Sequence, residues 1–598
     1  MTAIFSSPRL AALYLRISTF RTDLFVLYLG IAFLASCALG PDLFAQETKN
    51  MIASADPAAT ETGIQILKRG GNPVDAAIAV QAVLNVVEPQ SSGIGGGCFL
   101  LFYDARTKQI IALDGREEAP RSARPELFLG KDGSPVPFYP DRITGGKAVG
   151  VPGCVKALYK AWRLYGSGKI AWRDLWGPAI ELAENGFPVS ARLAEAIQGE
   201  KDRLKLFAAS REAFLNPDGT PKEKGALLIQ KDLAKTLRLL AKKGEKPFYE
   251  GPIAKDIVGA VNHSEVNPGQ MEMKDLSEYE APLRRPVSGT YRGFTLYSMP
   301  PPSSGGAVLI EALNLLEPFD PAGMKRKDPE FIHLFSEIQR LSFLDRGRFL
   351  GDPDFSEVPV GKLVSKDFAA ERGSELASSQ VLKGISPDKH GNTTTSHISI
   401  IDEEGNVLSM TTTIEHIFGC AMVVPGRGFV LNNELTDFDA LPYLSDTGEP
   451  APNRVEGARK PRKTSLDLPG SIGGKRPLSS MTPTMVFKNG KPWICVGSPG
   501  GTQIIGIVLN ALVNLIDFGM TPEEALGSPR IINRTGPVEI EMSFFDDPAV
   551  TDRLERMGHE IIMRKPFGNA QLVMVRNAQT GELEGASDPR GEGKAEGF

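Results

Sequence analysis

The sequence predicts an α/β protein in which β-sheets are covered by helices, and three observations lead there. Short apolar strand-like runs alternate with helical segments along most of the chain. The helices are apolar on most faces rather than on one stripe, which places them against a sheet. Several strand-like runs are joined by short Gly-containing turns and read as hairpins, as around Asn489-Gly490. With 598 residues, 41% of them hydrophobic, the chain can bury a large core as several domains or one unit. Its 67 basic residues against 72 acidic ones leave no electrostatic footprint for nucleic acid.

The amino terminus differs from the rest. Arg9, Arg16 and Arg21 precede an apolar run from Leu24 to Phe33, and Leu34-Ala35-Ser36-Cys37 follows. A basic flank, a short apolar core and small residues describe an export leader within residues 1–45. Three outcomes stay open: a lipoprotein with Cys37 lipidated at its new amino terminus, ordinary cleavage near Ala45, or a retained anchor. The run is short for a membrane-spanning helix. Beyond Cys37, Cys98, Cys154, Cys420 and Cys495 are widely separated and lie in apolar or glycine-rich surroundings, so they are expected as small core residues. The six histidines form no HExxH-like pair, so no metal is expected.

Ala58 to Leu67 is expected as a helix ended by Gly70-Gly71. Asn72-Pro73-Val74-Asp75 then opens the helix Pro73 to Val87, with Asn72 as cap, Pro73 in the first turn and Asp75 reaching back. The glycines of Gly93-Ile94-Gly95-Gly96-Gly97 follow a helix and open a strand, Phe99 to Tyr103. That order is not a dinucleotide-binding fingerprint, and it points to close backbone packing. Ile110 to Leu113 is the partner strand, with Arg116 just past its end.

Residues 146–185 read as mainly helical. Residues 190–275 are lysine-rich helices with solvated faces, and 291–297 is one strand. A buried helix covers Ala307 to Leu316, and a long one runs from Phe331 towards Arg348, capped by Asp328 before Pro329. Residues 439–475, rich in Pro, Gly and charge, are expected as a long mobile excursion. Met485 to Phe487 and Trp493 to Val496 form a hairpin. Gly497-Ser498-Pro499-Gly500-Gly501 then leads into an apolar helix ending near Ile516. Polar residues from Leu583 onward are expected to fray at the carboxyl end.

The stretch around which the chain is organised is Gly391 to Thr413. A polar loop enters an alternating run from Thr395 to Ile401, turns at Asp402 to Asn406, and returns through Val407 to Thr413. A turn symmetric about Glu404 sets Thr413 opposite Thr395, within reach of a Thr–Thr hydrogen bond. Periodicity alone favours a purely structural hairpin whose threonines suit a sheet, so the rest of the chain must decide. An internal threonine has no assured base, whereas an amino-terminal threonine has its own α-amine, with an ordinary pKa near 8. Nucleophilic use of Thr395 therefore requires cleavage after Thr394. Gly500 and Gly501, at a helix start, read alone as an ordinary glycine turn, but their backbone N–H groups also suit an oxyanion. Alone, Arg116 reads as a surface arginine and the polar residues after Leu431 as loop surface. Taken together, Arg116 with Ser479 and Ser480 suits a carboxylate and Glu434 with Asp437 an ammonium, a set that would recognise a free α-amino acid end.

Taken in order, the segments Asn72 to Ala77, Gly93 to Gly97, Asp114 to Pro120, Thr395 to His397, Leu431 to Phe438, Arg476 to Pro483 and Gly497 to Gly501 resemble the γ-glutamyltranspeptidases. These are self-processing members of the amino-terminal-nucleophile hydrolases, and the resemblance runs from about Ala53 to Gln571. It implies a four-layer αββα sandwich and a precursor cut into a large subunit, 46–394, and a small one, 395–598, that stay in one unit. It implies Thr395 as nucleophile, Thr413 as its hydrogen-bonding partner, and Gly500 and Gly501 as oxyanion donors. Arg116, Ser479 and Ser480 would hold the α-carboxylate, and Glu415, Glu434 and Asp437 the amino group. Donors would be glutathione and other γ-glutamyl compounds, and acceptors water, amino acids or dipeptides. The resemblance implies no organic cofactor.

Three departures accompany the resemblance. Ser396 replaces a common second threonine, Glu415 stands where many relatives carry asparagine, and residues 439–475 are longer than the lid loop of some members. The alternatives are a cephalosporin or glutaryl acylase, a polyglutamate-type transpeptidase, and an unprocessed exported binding protein.

Overall fold

A computed structural model describes residues 47–377, 394–542 and 548–598. The leader, Cys37 and most of the loop before Thr395 lie outside these residues. Thirteen strands build two sheets: β1 (Met51–Ser54), β2 (Gly97–Asp104), β3 (Gln109–Gly115), β4 (Leu283–Arg284), β5 (Val287–Tyr291), β6 (Phe294–Ser298), β7 (Ser396–Ile401), β8 (Val407–Thr413), β9 (Thr484–Lys488), β10 (Lys491–Gly497), β11 (Gln571–Asn577), β12 (Glu582–Ser587) and β13 (Lys594–Gly597). The first sheet has seven strands in the order β13-β1-β7-β8-β2-β3-β4, and the second has six, β12-β11-β10-β9-β6-β5. Neighbouring strands are antiparallel throughout both sheets.

The two sheets face each other through β7 and β8 on one side and β10 and β11 on the other. Every residue of β7 and β8 is buried, because one face meets the opposite sheet and the other meets helices. Helices α1 (Pro57–Lys68), α2 (Pro73–Val87) and α3 (Cys154–Tyr165) cover the first sheet, while α4 (Gly305–Leu316) and α6 (Ile504–Ile516) cover the second. Together they form an αββα layering. The long helix α5 (Pro329–Phe349) packs on α4. All fifteen residues of α2 are buried, as its all-round apolar sequence requires, and its start carries the expected capping box between Asn72 and Asp75. Cys98, Cys154, Cys420 and Cys495 are buried free thiols.

Some expectations give way. Residues 291–297 are not one strand: Arg292 and Gly293 take left-handed φ of 50° and 82° and turn β5 back into β6. The carboxyl end does not fray, because Lys594–Gly597 pairs with β1 and satisfies its backbone there. Asp328 makes no side-chain cap for α5; its carboxylate accepts from the Lys325 N–H instead. In the lysine-rich helical region Arg203 is buried, donating to the carbonyls of Ile143 and Gly419. The 439–475 excursion is tied down: Arg459 and Arg462 pair with buried Glu118, and the N–H groups of Lys463 and Thr464 donate to Asp354. Among the described residues no helix is long and apolar enough to cross a membrane.

Candidate active site

The site grows from the β7–β8 hairpin. Its register pairs Val407 with Ile401 and Thr412 with Ser396, the symmetry about Glu404 that the sequence implies. Gly405 takes φ 82° in the connecting turn. Thr395 enters β7 beside the end of β8, and both Thr395 and Thr413 are only 3% exposed. The Thr395 hydroxyl donates to Thr413 Oγ1 at 3.3 Å. Thr413 Oγ1 also accepts from the Glu415 N–H at 2.9 Å and donates its own proton to the Thr394 carbonyl at 3.1 Å. A threonine hydroxyl has one proton and two acceptor positions, so Thr413 is fully used. Its proton lies on the carbonyl of the peptide bond that precedes Thr395.

That bond is held on both flanks. The Thr394 N–H donates to the Glu415 carbonyl at 3.0 Å, and Thr394 Oγ1 lies 2.8 Å from Ser91 Oγ. Ser396 donates to buried Glu88 at 2.6 Å. Burial pushes the Glu88 carboxyl up to about 7, against the pull of Arg192. The glycine run allows the approach of neighbouring backbone: a Cβ on Gly95 would stand 2.0 Å from the Val430 carbonyl oxygen, and one on Gly96 2.0 Å from that of Thr413. Glu415 sits at φ 74°, a left-handed conformation unusual for glutamate. Asn433 braces this turn by bonding the Glu415 carboxylate and the His416 N–H.

Strand β3 ends at Gly115 and delivers Arg116, which is 1% exposed. Its guanidinium pairs directly with Glu434 and, at 2.5 Å, with Asp437, and it donates to the carbonyls of Pro477 and Leu478. The two expected poles of the site are thus joined to each other. A buried guanidinium and buried carboxylates need partners, and here they find one another. Burial raises the Glu434 carboxyl well above its usual range even beside Arg116. Glu117, 4.0 Å from the same guanidinium, is pushed up to about 8 by burial.

Thr395, Thr413, Arg116, Glu415, Glu434, Asp437, Ser479, Ser480 and Gly501 line one small cavity of about 30 Å³. Gly500 lies beside it, outside the wall. Gly500 takes φ 135°, open to glycine alone without strain, and Gly501 the left-handed φ 54°, in the turn that leads to α6. Arg346, on the last turn of α5, also lines the cavity. Neither Arg346 nor Glu117 stood out in the sequence. Arg346 is one of several arginines on its helix, and no local pattern separates it from Arg340 or Arg348. Among the described residues no group of three or more side chains is placed to hold a metal ion.

Residues 59–598 match the family model described as γ-glutamyltranspeptidase. The chain is 39% identical over 569 residues to the "Glutathione hydrolase proenzyme" of Bacillus subtilis (strain 168), covering 92% of this chain and 91% of that protein. Among solved structures it resembles the cephalosporin acylase from Bacillus halodurans, with TM-score 0.77 at 27% identity over 94% of this chain and 99% of the other. It also resembles Helicobacter pylori γ-glutamyltranspeptidase, with TM-score 0.52 at 37% identity over 55% of this chain and 92% of that one. The two-sheet layering and this extent of identity agree, and the chain belongs to the γ-glutamyltranspeptidase family.

Proposed function

We propose that the chain is a self-processing γ-glutamyltransferase and glutathione hydrolase that uses Thr395 as its nucleophile. The observation that carries this reading is the Thr395–Thr413–Thr394 arrangement, in which Thr413 Oγ1 accepts from the Thr395 hydroxyl and donates to the carbonyl of the bond to be cut. In maturation, Thr395 Oγ1 bonds to the Thr394 carbonyl carbon while the C–N bond breaks and the hydroxyl proton passes to the departing nitrogen. Water then adds to the ester, giving a Thr394 carboxylate, a restored Thr395 hydroxyl and a free α-amine. In turnover that amine takes the hydroxyl proton as Thr395 attacks the γ-glutamyl carbonyl, and returns it to the leaving amine. Gly500 and Gly501 N–H groups take the developing oxyanion. Water or an acceptor amine resolves the ester.

A γ-glutamyl group brings its own carboxylate and ammonium. On binding, these exchange with the internal Arg116–Glu434–Asp437 pairs, the carboxylate going to Arg116, Ser479 and Ser480 and the ammonium to Glu415, Glu434 and Asp437. The acidic end of the cavity distinguishes this from a glutaryl acylase, whose substrate lacks the ammonium. The purified protein should cleave a γ-glutamyl anilide with kcat/KM at least about 10³-fold above the glutaryl anilide, because loss of the ammonium leaves buried carboxylates unpaired. Comparable rates would assign it to the glutaryl acylases instead. The basic, apolar and small-residue order of residues 9–37 supports export, and the mass of the mature amino terminus separates a lipidated Cys37 from a cut near Ala45.

A further inference from the structure

Arg116 is not the sole guanidinium in the cavity wall, and its charge is already taken by two carboxylates. Arg346 differs. Among the described residues no salt bridge reaches it; its guanidinium lies 5.8 Å from the centre of the Phe343 ring, and its side-chain hydrogen bonds go to two hydroxyls: Nε donates to Ser304 Oγ at 2.9 Å and Nη2 to Ser480 Oγ at 3.1 Å. Ser304 passes the connection on by donating its own proton to the Ser479 carbonyl at 2.6 Å.

A proton inventory follows from these bonds. A guanidinium only donates, so Ser480 Oγ accepts from Arg346 and keeps its own O–H for another acceptor. Ser479 Oγ accepts from the Met481 N–H at 3.1 Å, and its O–H is likewise left to donate. Both serines and Arg346 face the same cavity. Two hydroxyls set as donors beside a cation not neutralised by a carboxylate form a receptor for an anion. The carboxylates Glu415, Glu434 and Asp437 furnish the opposite polarity elsewhere in the same wall.

We infer that Arg346 is a positioning residue for the carboxylate end of the donor, orienting Ser479 and Ser480 as hydrogen-bond donors and adding a second positive charge there. The inference rests on the γ-glutamyl reading given above and names what makes the serine pair selective for an anion. It predicts that Arg346 affects only substrates that carry the α-carboxylate.

The test compares two donors with the same scissile amide, γ-glutamyl-p-nitroanilide and 4-aminobutyryl-p-nitroanilide, which lacks the α-carboxylate. Rates are normalised to the amount of cleaved chain seen on denaturing gels. Arg346→Gln should raise KM for the γ-glutamyl donor roughly 10–100-fold with little change in kcat, as expected for lost hydrogen bonds to a charged group. The kcat/KM for the 4-aminobutyryl donor should stay within about twofold of the parent. Arg346→Lys should recover part of the loss. Should Arg346→Gln fail to fold, Ser304→Ala breaks the same relay and should give the same selective rise in KM. Equal losses on both donors, or no loss on either, in the variant that folds would overturn the positioning role. A parent enzyme that does not prefer the γ-glutamyl donor would instead remove the substrate reading itself.

Discussion

At the scale of single residues, Thr413 carries the most chemistry for its size. Its one proton rests on the Thr394 carbonyl, and its lone pairs receive Thr395 and the Glu415 N–H. Thr413→Val keeps the shape and removes the donor. Maturation followed by gel should slow by about 10²–10³-fold, the usual effect of deleting one oxyanion donor, while Thr413→Ser should mature close to the parent rate. Equal rates for the Val and Ser variants would show that the hydroxyl is dispensable.

His416, next to the strained Glu415, gives a second residue-scale test. Burial, with Arg203 close by, holds its ring down to about 3 from an ordinary 6.5. The folded value lies below the unfolded one, so this stability is present above about pH 6.5 and is lost as pH falls towards 3. The loss per histidine is about 1.4 kcal/mol per pH unit inside that window. His397, held down to about 3 by burial between the sheets, adds a similar loss. Unfolding free energies from urea melts between about pH 6.5 and pH 4 should fall less steeply in His416→Asn, by about 1.4 kcal/mol per pH unit. An unchanged slope would remove His416 from the acid sensitivity.

The facing of Thr395 and Thr413 was legible in the sequence because hairpin symmetry sets it, whereas Arg116 and the acidic residues read locally as surface and loop, and only their order among the other family segments pointed to a site. Arg346 was not legible, since its meaning comes from Ser304 and Ser480, 42 and 134 positions away.

At the scale of elements, hairpins were the most readable features. Register follows from turn symmetry and alternation, so β7–β8 could be aligned from sequence, and Asn489-Gly490 marked the turn between β9 and β10. The β5–β6 turn at Arg292-Gly293 was missed because a two-residue break inside an apolar run looks continuous. Strand β13 was missed for a different reason: its partner β1 lies more than 500 residues away in the chain, as in the pairing Met51 with Gly597. Local composition carries no trace of such a neighbour.

Between the sheets, Gly497 at the end of β10 lies against His397. A Cβ there would stand 2.2 Å from the ring's Cε1. The ring is held by Thr411 Oγ1 at 2.8 Å and Ser399 Oγ at 3.1 Å, so it has little room to move. Gly497→Ala should cost about 1–3 kcal/mol in chemical denaturation, the usual range for overpacking a filled core. A change below about 0.5 kcal/mol, typical of surface substitutions, would show that the sheets separate easily at this point.

At the scale of the molecule, the proposed cut lies inside the architecture rather than between domains. Strand β7, from after the cut, is paired with β1 from before it, and β8 is paired with β2. In the second sheet β9 pairs with β6 across the same division. Each sheet therefore contains strands from both sides of Thr395, and cleavage removes one peptide bond without removing any of these ladders. The layered class was visible in the sequence through its all-round apolar helices. The strand order was not, because it depends on pairings between distant segments.

The most direct test follows from that interleaving. The purified protein is passed over a sizing column under native conditions, then separated in denaturant, and the amino terminus of the smaller fragment is sequenced. The expected result is one native peak that resolves into two fragments in denaturant, the smaller beginning Thr395-Ser396-His397. A fully active preparation in which the chain remains uncut, or a small fragment beginning at any other residue, would contradict the account.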